Sequence, residues 1–96
     1  MRTEHLEIPV THPVFAGHFP GHPLLPGSLL LDLILAAYGA PVAGVTSVKF
    51  HRPVLPGDTL VLTFTPAGAG SAMRFHCTRG LDTVCSGTLR LDTAAV

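Results

Sequence analysis

Residues 18–37 read HFPGHPLLPGSLLLDLILAA, and the second half of this stretch decides what the chain can fold into. From Ser28 to Tyr38 the residues are strong helix formers with no breaker, and Gly39 followed by Pro41 supplies a stop. The predicted helix is apolar nearly all round, which is the pattern of a buried helix, since a surface helix carries a polar stripe. Asp32 is the exception inside it. Burying an unpaired carboxylate costs far more than a neighbouring leucine returns, so the residue requires compensation or a shifted pKa. Before the helix, Pro20, Pro23 and Pro26 with Gly21 and Gly27 between them predict an irregular loop, in which neither helix nor ladder pairing is sustained.

Strand patterns surround this loop and helix. Leu6, Ile8 and Val10 alternate with His5 and Glu7 in EHLEIPV, a strand signal that ends near His12-Pro13. After the helix, VTSVKFHR (45–52) sets Val48 and Phe50 on one face and Lys49 and His51 on the other. PVLPGD then holds a Pro-Gly pair suited to a type II turn and leads into TLVLTFT. AMRFHCT, a turn at RGLD and TVCSGTLRL complete the chain. The expected order is strand, loop, buried helix and four strands in a meander, an α+β arrangement with an antiparallel sheet curled round a central helix.

Composition narrows the class. The 96 residues are expected to form a single domain, 1–96, and a chain this short buries a modest fraction of its surface alone. With 47% hydrophobic and only 12% charged residues, a homo-oligomer with an apolar interface is expected. Net charge is zero and the cationic residues are scattered, which argues against nucleic acid and anionic membrane as partners. The longest apolar run is too short and interrupted to span a bilayer, and MRTEHLEIPV is no signal peptide, so a cytoplasmic location is expected. Cys77 and Cys85 show no metal-site spacing, and free thiols are expected in a reducing compartment. A three-residue loop at RGLD would set the two opposite each other on the core face, where a disulfide stays open. His18 and His22 stand four apart, but Pro20 and Gly21 between them argue against a helical metal site; no metal and no cofactor are expected.

HFPGHPLLPGSLLLD, followed by VKFHRPVLPGD, resembles the hot-dog-fold 3-hydroxyacyl-[acyl-carrier-protein] dehydratases across nearly the whole chain. The Asp in the helix, where many members carry Glu, is similar to the dehydratase/isomerase branch and to short dehydratases of aryl-polyene-type pathways. The resemblance implies a hot-dog fold, an acyl carrier protein as partner, and a catalytic pair that falls on His18 and Asp32. It also implies that the backbone N–H of Gly27 holds the thioester oxygen, and that each site is completed across a twofold dimer.

The chemistry of the residues agrees. Dehydrating a 3-hydroxyacyl thioester needs a base for the proton beside the carbonyl, an acid for the departing hydroxide, and a donor for the enolate-like oxygen. Imidazole titrates nearest neutrality, at about 6.5, which suits His18 as the base. Asp32, desolvated among leucines, is expected to have a raised pKa and to hold or donate the proton for the leaving group. Gly27, at the positive end of the helix, faces its N–H toward developing charge. A hot-dog thioesterase or a non-catalytic acyl-binding subunit are the competing readings, distinguished by the product made from a 3-hydroxyacyl thioester.

Overall fold

The computed structural model of the chain describes residues 1–9, 25–68 and 70–92. In these, β1 (Arg2–Glu7) is followed by α1 (Gly27–Tyr38), β2 (Val42–Phe50), β3 (Thr59–Pro66), β4 (Ala72–Arg79) and β5 (Asp82–Leu91). The strands form one five-stranded sheet in the order β1-β3-β4-β5-β2, with every neighbouring pair antiparallel. One helix against an antiparallel sheet is the α+β class expected from the sequence.

The meander is shorter than expected. β3, β4 and β5 are joined by consecutive hairpins, but β2 pairs with β5 at the far edge and not with β3. The loop 51–58 therefore crosses the sheet instead of turning back on it. Its start is tied to β5, because the N–H groups of His51 and Arg52 both donate to Val84 O. Its end is tied beside β1, where Gly57 N–H donates to Ile8 O and Ile8 N–H donates to Asp58 O. Three strand spacings of about 4.8 Å are well within reach of a segment this long.

Period-two alternation builds the core. Leu60, Leu62 and Phe64 of β3, Phe75 and Cys77 of β4, and Cys85 and Leu89 of β5 are all buried on the inner face. Phe75 faces Gly87 across the β4–β5 ladder, and its ring fills the space a side chain would need: a Cβ at position 87 would lie 2.6 Å from that ring and would also run into Ser47 O. Cys77 and Cys85 do stand opposite each other, but by a different route from the expected three-residue loop. Arg79 pairs with Asp82 across a two-residue turn, Gly80-Leu81, with Gly80 at a positive φ of 59°. A bulge beyond the Thr78–Thr83 pair then leaves Val84 out of the ladder and restores the Cys77–Cys85 register. Both thiols are buried and free.

The helix corrects a larger expectation. Only Leu30, Ile34 and Tyr38, one residue per turn, are fully buried. The opposite stripe of Ser28, Asp32 and Ala36 is exposed, with Leu29, Leu31, Leu33 and Leu35 half-buried between. α1 is thus not enclosed all round, and Asp32 is not buried within its own chain. The sheet of one chain covers one side of a helix, and the apolar residues flanking the other side are only half covered by the described residues. The helix ends as the sequence predicts, at Gly39, whose φ of 75° lets its N–H close onto Leu35 O.

Candidate active site

The site is built around the start of α1. Pro26 occupies the N-cap with an extended backbone (φ −59°, ψ 142°), and its carbonyl accepts from the N–H groups of Leu29 and Leu30. Among the described residues no side chain caps this end and no acid stands in the first turn. The N–H groups at the start of a helix have no intrahelical partner, and they lie where the macrodipole is positive. The end of α1 at Gly27 is therefore equipped to receive an oxygen that gains negative charge.

A cleft of about 370 Å³ opens beside Gly27. Leu25, Leu30 and Val54 supply buried apolar surface, while Phe50, His51 and Arg52 form its exposed rim. Two tethers hold the walls in place. Leu25 N–H donates to Val54 O at 2.9 Å, joining the approach to α1 to the crossing loop. On the other side of that loop, Arg79 Nη1 donates to Asp58 Oδ2 at 2.6 Å and to Pro53 O at 3.0 Å. Asp58 Oδ2 also accepts from Leu55 N–H, so one carboxylate and one guanidinium fix the segment that carries Pro53 and Val54.

Gly27 is tightly constrained by Phe50. A Cβ at position 27 would lie 3.0 Å from Phe50 Cζ and 3.1 Å from Cε2, so the ring lies against the helix start where any other residue would push it away. Sequence alternation assigns Phe50 to the same face as Val48, but at the end of β2 the ring is 49% exposed and covers Gly27. A large apolar residue next to His-Arg-Pro, at the end of a strand, was the available signal. Of the rim residues, His51 Nε2 is hydrogen-bonded to Ser86 Oγ at 3.1 Å, and Arg52 forms a loose, exposed ion pair with Asp82 at 3.7 Å.

The expected catalytic residues divide between described and undescribed parts. Gly27 is the first residue of α1 and lines the cleft. Asp32 stands in the second turn of the same helix, on the exposed stripe, facing away from Leu30 and Ile34. His18, and with it His22, lies outside the described residues. No helix among the described residues is long and apolar enough to cross a membrane.

A family model described as the ApeI dehydratase, ApeI-like, matches residues 2–88. The 3-hydroxyacyl-[acyl-carrier-protein] dehydratase FabZ of Thermus thermophilus is 48% identical over 64 residues, covering 52% of this chain and 45% of that protein. FabZ of Haemophilus influenzae is 41% identical over 69 residues, 57% of this chain and 47% of that one. The chain spans about half the length of the curated relatives it matches. Among solved structures, the dehydratase heterocomplex ApeI:P from Xenorhabdus doucetiae superposes with a TM-score of 0.76 at 29% identity, over 93% of this chain and 84% of that one. A variant of the fluoroacetyl-CoA-specific thioesterase FlK reaches 0.67 at 19% identity over 93% and 84%, a likeness of fold alone. The sheet and helix described above are those of the hot-dog fold.

Proposed function

The chain belongs to the ApeI-like dehydratase family, and we propose that it removes water from 3-hydroxyacyl thioesters carried on an acyl carrier protein. The products are trans-2-enoyl thioesters, made in the cytoplasm during fatty-acid-like, polyene or polyketide chain building. His18 takes the proton from carbon 2. The electrons form the double bond to carbon 3 as the hydroxyl leaves, and Asp32 protonates that hydroxyl to water. The Gly27 N–H stabilises the thioester oxygen while it carries enolate charge.

The observation that carries this reading is the position of Asp32 on the open face of α1, flanked by half-buried leucines. A second copy laid on that face would enclose the carboxylate between apolar side chains of the two chains. We read the protein as a homodimer, or an assembly of dimers, in which His18 of one copy meets Asp32 of the other. Each cleft then needs both chains, and the half-covered apolar residues of α1 have a use.

The test is to offer carrier-bound 3-hydroxyacyl chains of several lengths and follow the absorbance of the conjugated enoyl product. Release of free thiol instead would make the protein a thioesterase, and neither signal would leave it an acyl-binding subunit. Mass measurement in solution separates a homodimer from an assembly that needs a different chain.

A further inference from the structure

We propose that Phe50 is a specificity-determining residue that excludes acyl chains branched at carbon 2. The inference rests on the dehydratase reading above and adds a constraint on its substrate. With the thioester oxygen bonded to the Gly27 N–H at about 2.9 Å, and a carbonyl bond of about 1.2 Å, carbon 2 lies within roughly 5 Å of that amide. The ring of Phe50 already occupies this neighbourhood, since even a single methyl at Gly27 would stand 3.0 Å from Phe50 Cζ. The ring packs against the helix start and forms the wall of the cleft on that side, so a carbon directed toward it must move the ring.

The floor of the cleft does not relieve this crowding. Leu25 and Val54 are buried and tethered to each other through the Leu25 N–H to Val54 O bond, so that wall cannot recede without breaking a backbone contact. Phe50 is the movable element, being 49% exposed at the rim. An unbranched chain presents only hydrogen atoms at carbon 2 and passes beside the ring. A 2-methyl group must displace it.

The experiment compares 3-hydroxybutyryl and 2-methyl-3-hydroxybutyryl pantetheine thioesters on the wild-type protein and on Phe50→Ala, Phe50→Leu and Phe50→Tyr. The readout is the ratio of kcat/KM for the unbranched to the branched substrate. The wild type and Phe50→Tyr should favour the unbranched thioester by tenfold or more, the scale on which one methylene is discriminated in an apolar pocket. Phe50→Ala should lower that ratio about tenfold, and Phe50→Leu should fall between. A purely structural role for the ring would depress both substrates together and leave the ratio unchanged, which would overturn the inference while the dehydratase reading stood. Absence of turnover of either substrate by the wild type would overturn that reading, and this one with it. Because the ring is half-exposed, the Ala variant is expected to fold; should it not, the Leu variant decides by the same ratio.

Discussion

Arg2 caps the far end of the helix by way of Tyr38: its guanidinium lies 5.1 Å from the centre of the Tyr38 ring while Nη2 donates to the carbonyls of Ala37 and Tyr38. The same guanidinium lies 5.4 Å from the Phe64 ring, so a strand residue joins the C-terminus of α1 to the core of β3. A cation at this end complements the helix dipole and satisfies carbonyls that have no intrahelical partner. Arg2→Ala should cost about 1–2 kcal/mol, from lost cation–π contact and charge-assisted bonds. In a domain of this size that lowers Tm by at least about 4 °C, readable by calorimetry. The Arg2–Glu4 pair at 3.1 Å is exposed, and Glu4→Gln should leave Tm nearly unchanged.

The Asp32 carboxylate makes no hydrogen bond or ion pair with the described residues, so the fold of one chain does not depend on its charge. Asp32→Asn should abolish turnover and leave stability within about 0.5 kcal/mol of wild type. A sharp loss of Tm with surviving activity would instead make Asp32 a structural residue of the interface.

His18→Ala should lower kcat by on the order of 10²–10⁴, the range for loss of a general base, with the circular dichroism spectrum and Tm preserved. Near-normal turnover by the folded variant would remove His18 from the mechanism.

Mixing the two inactive proteins tests where the pair meets. If His18 and Asp32 come from different copies, a mixed dimer of His18→Ala and Asp32→Asn chains has one site with both defects and one with none. Random pairing makes about half the dimers mixed, so refolded mixtures should recover roughly a quarter of wild-type activity. No recovery, with subunit exchange verified, would mean that each chain completes its own site.

The cysteine pair gives stability a pH dependence. Burial pushes the Cys77 thiol up from its ordinary 9.0 to about 12, helped by repulsion from Cys85. Burial alone raises Cys85 to about 11. The folded chain holds these protons to higher pH than the unfolded chain, so the associated stability is intact below about pH 9 and is lost as pH rises toward 11–12. The urea midpoint should be flat up to pH 8.5 and then decline, with a shallower decline in Cys85→Ala. Neither thiol should react with a maleimide at pH 7 until the protein is denatured.

Local signals in the sequence were sufficient for the elements themselves. Pro26-Gly27 and Gly39-Pro41 bracket α1, and alternation locates each strand to within a few residues. Pairing was less legible. Whether β2 joins β3 or β5 depends on how loop 51–58 is anchored at Val84 and Ile8, contacts between residues far apart in the chain. The sequence predicts burial for Asp32, which its own chain leaves exposed, because a run of leucines specifies that a helix is apolar without specifying how many chains cover it. Gly27 was found from its place in a motif, but the reason it must lack a side chain is Phe50, twenty-three residues later. Arg2 and the Arg79–Asp58 clamp are not legible in the sequence for the same reason, since each acts through a partner that only the fold supplies.

The two stripes of α1 answer to different constraints during divergence. Leu30, Ile34 and Tyr38 are bound to the sheet of their own chain, and change there must be matched by change in the core. Ser28, Asp32 and Ala36 carry no such obligation, so they can be rewritten while the domain keeps its shape. A descendant could therefore exchange its acid, or its companion chain, at three positions spaced one turn apart, which makes this helix a place where new chemistry is inherited cheaply.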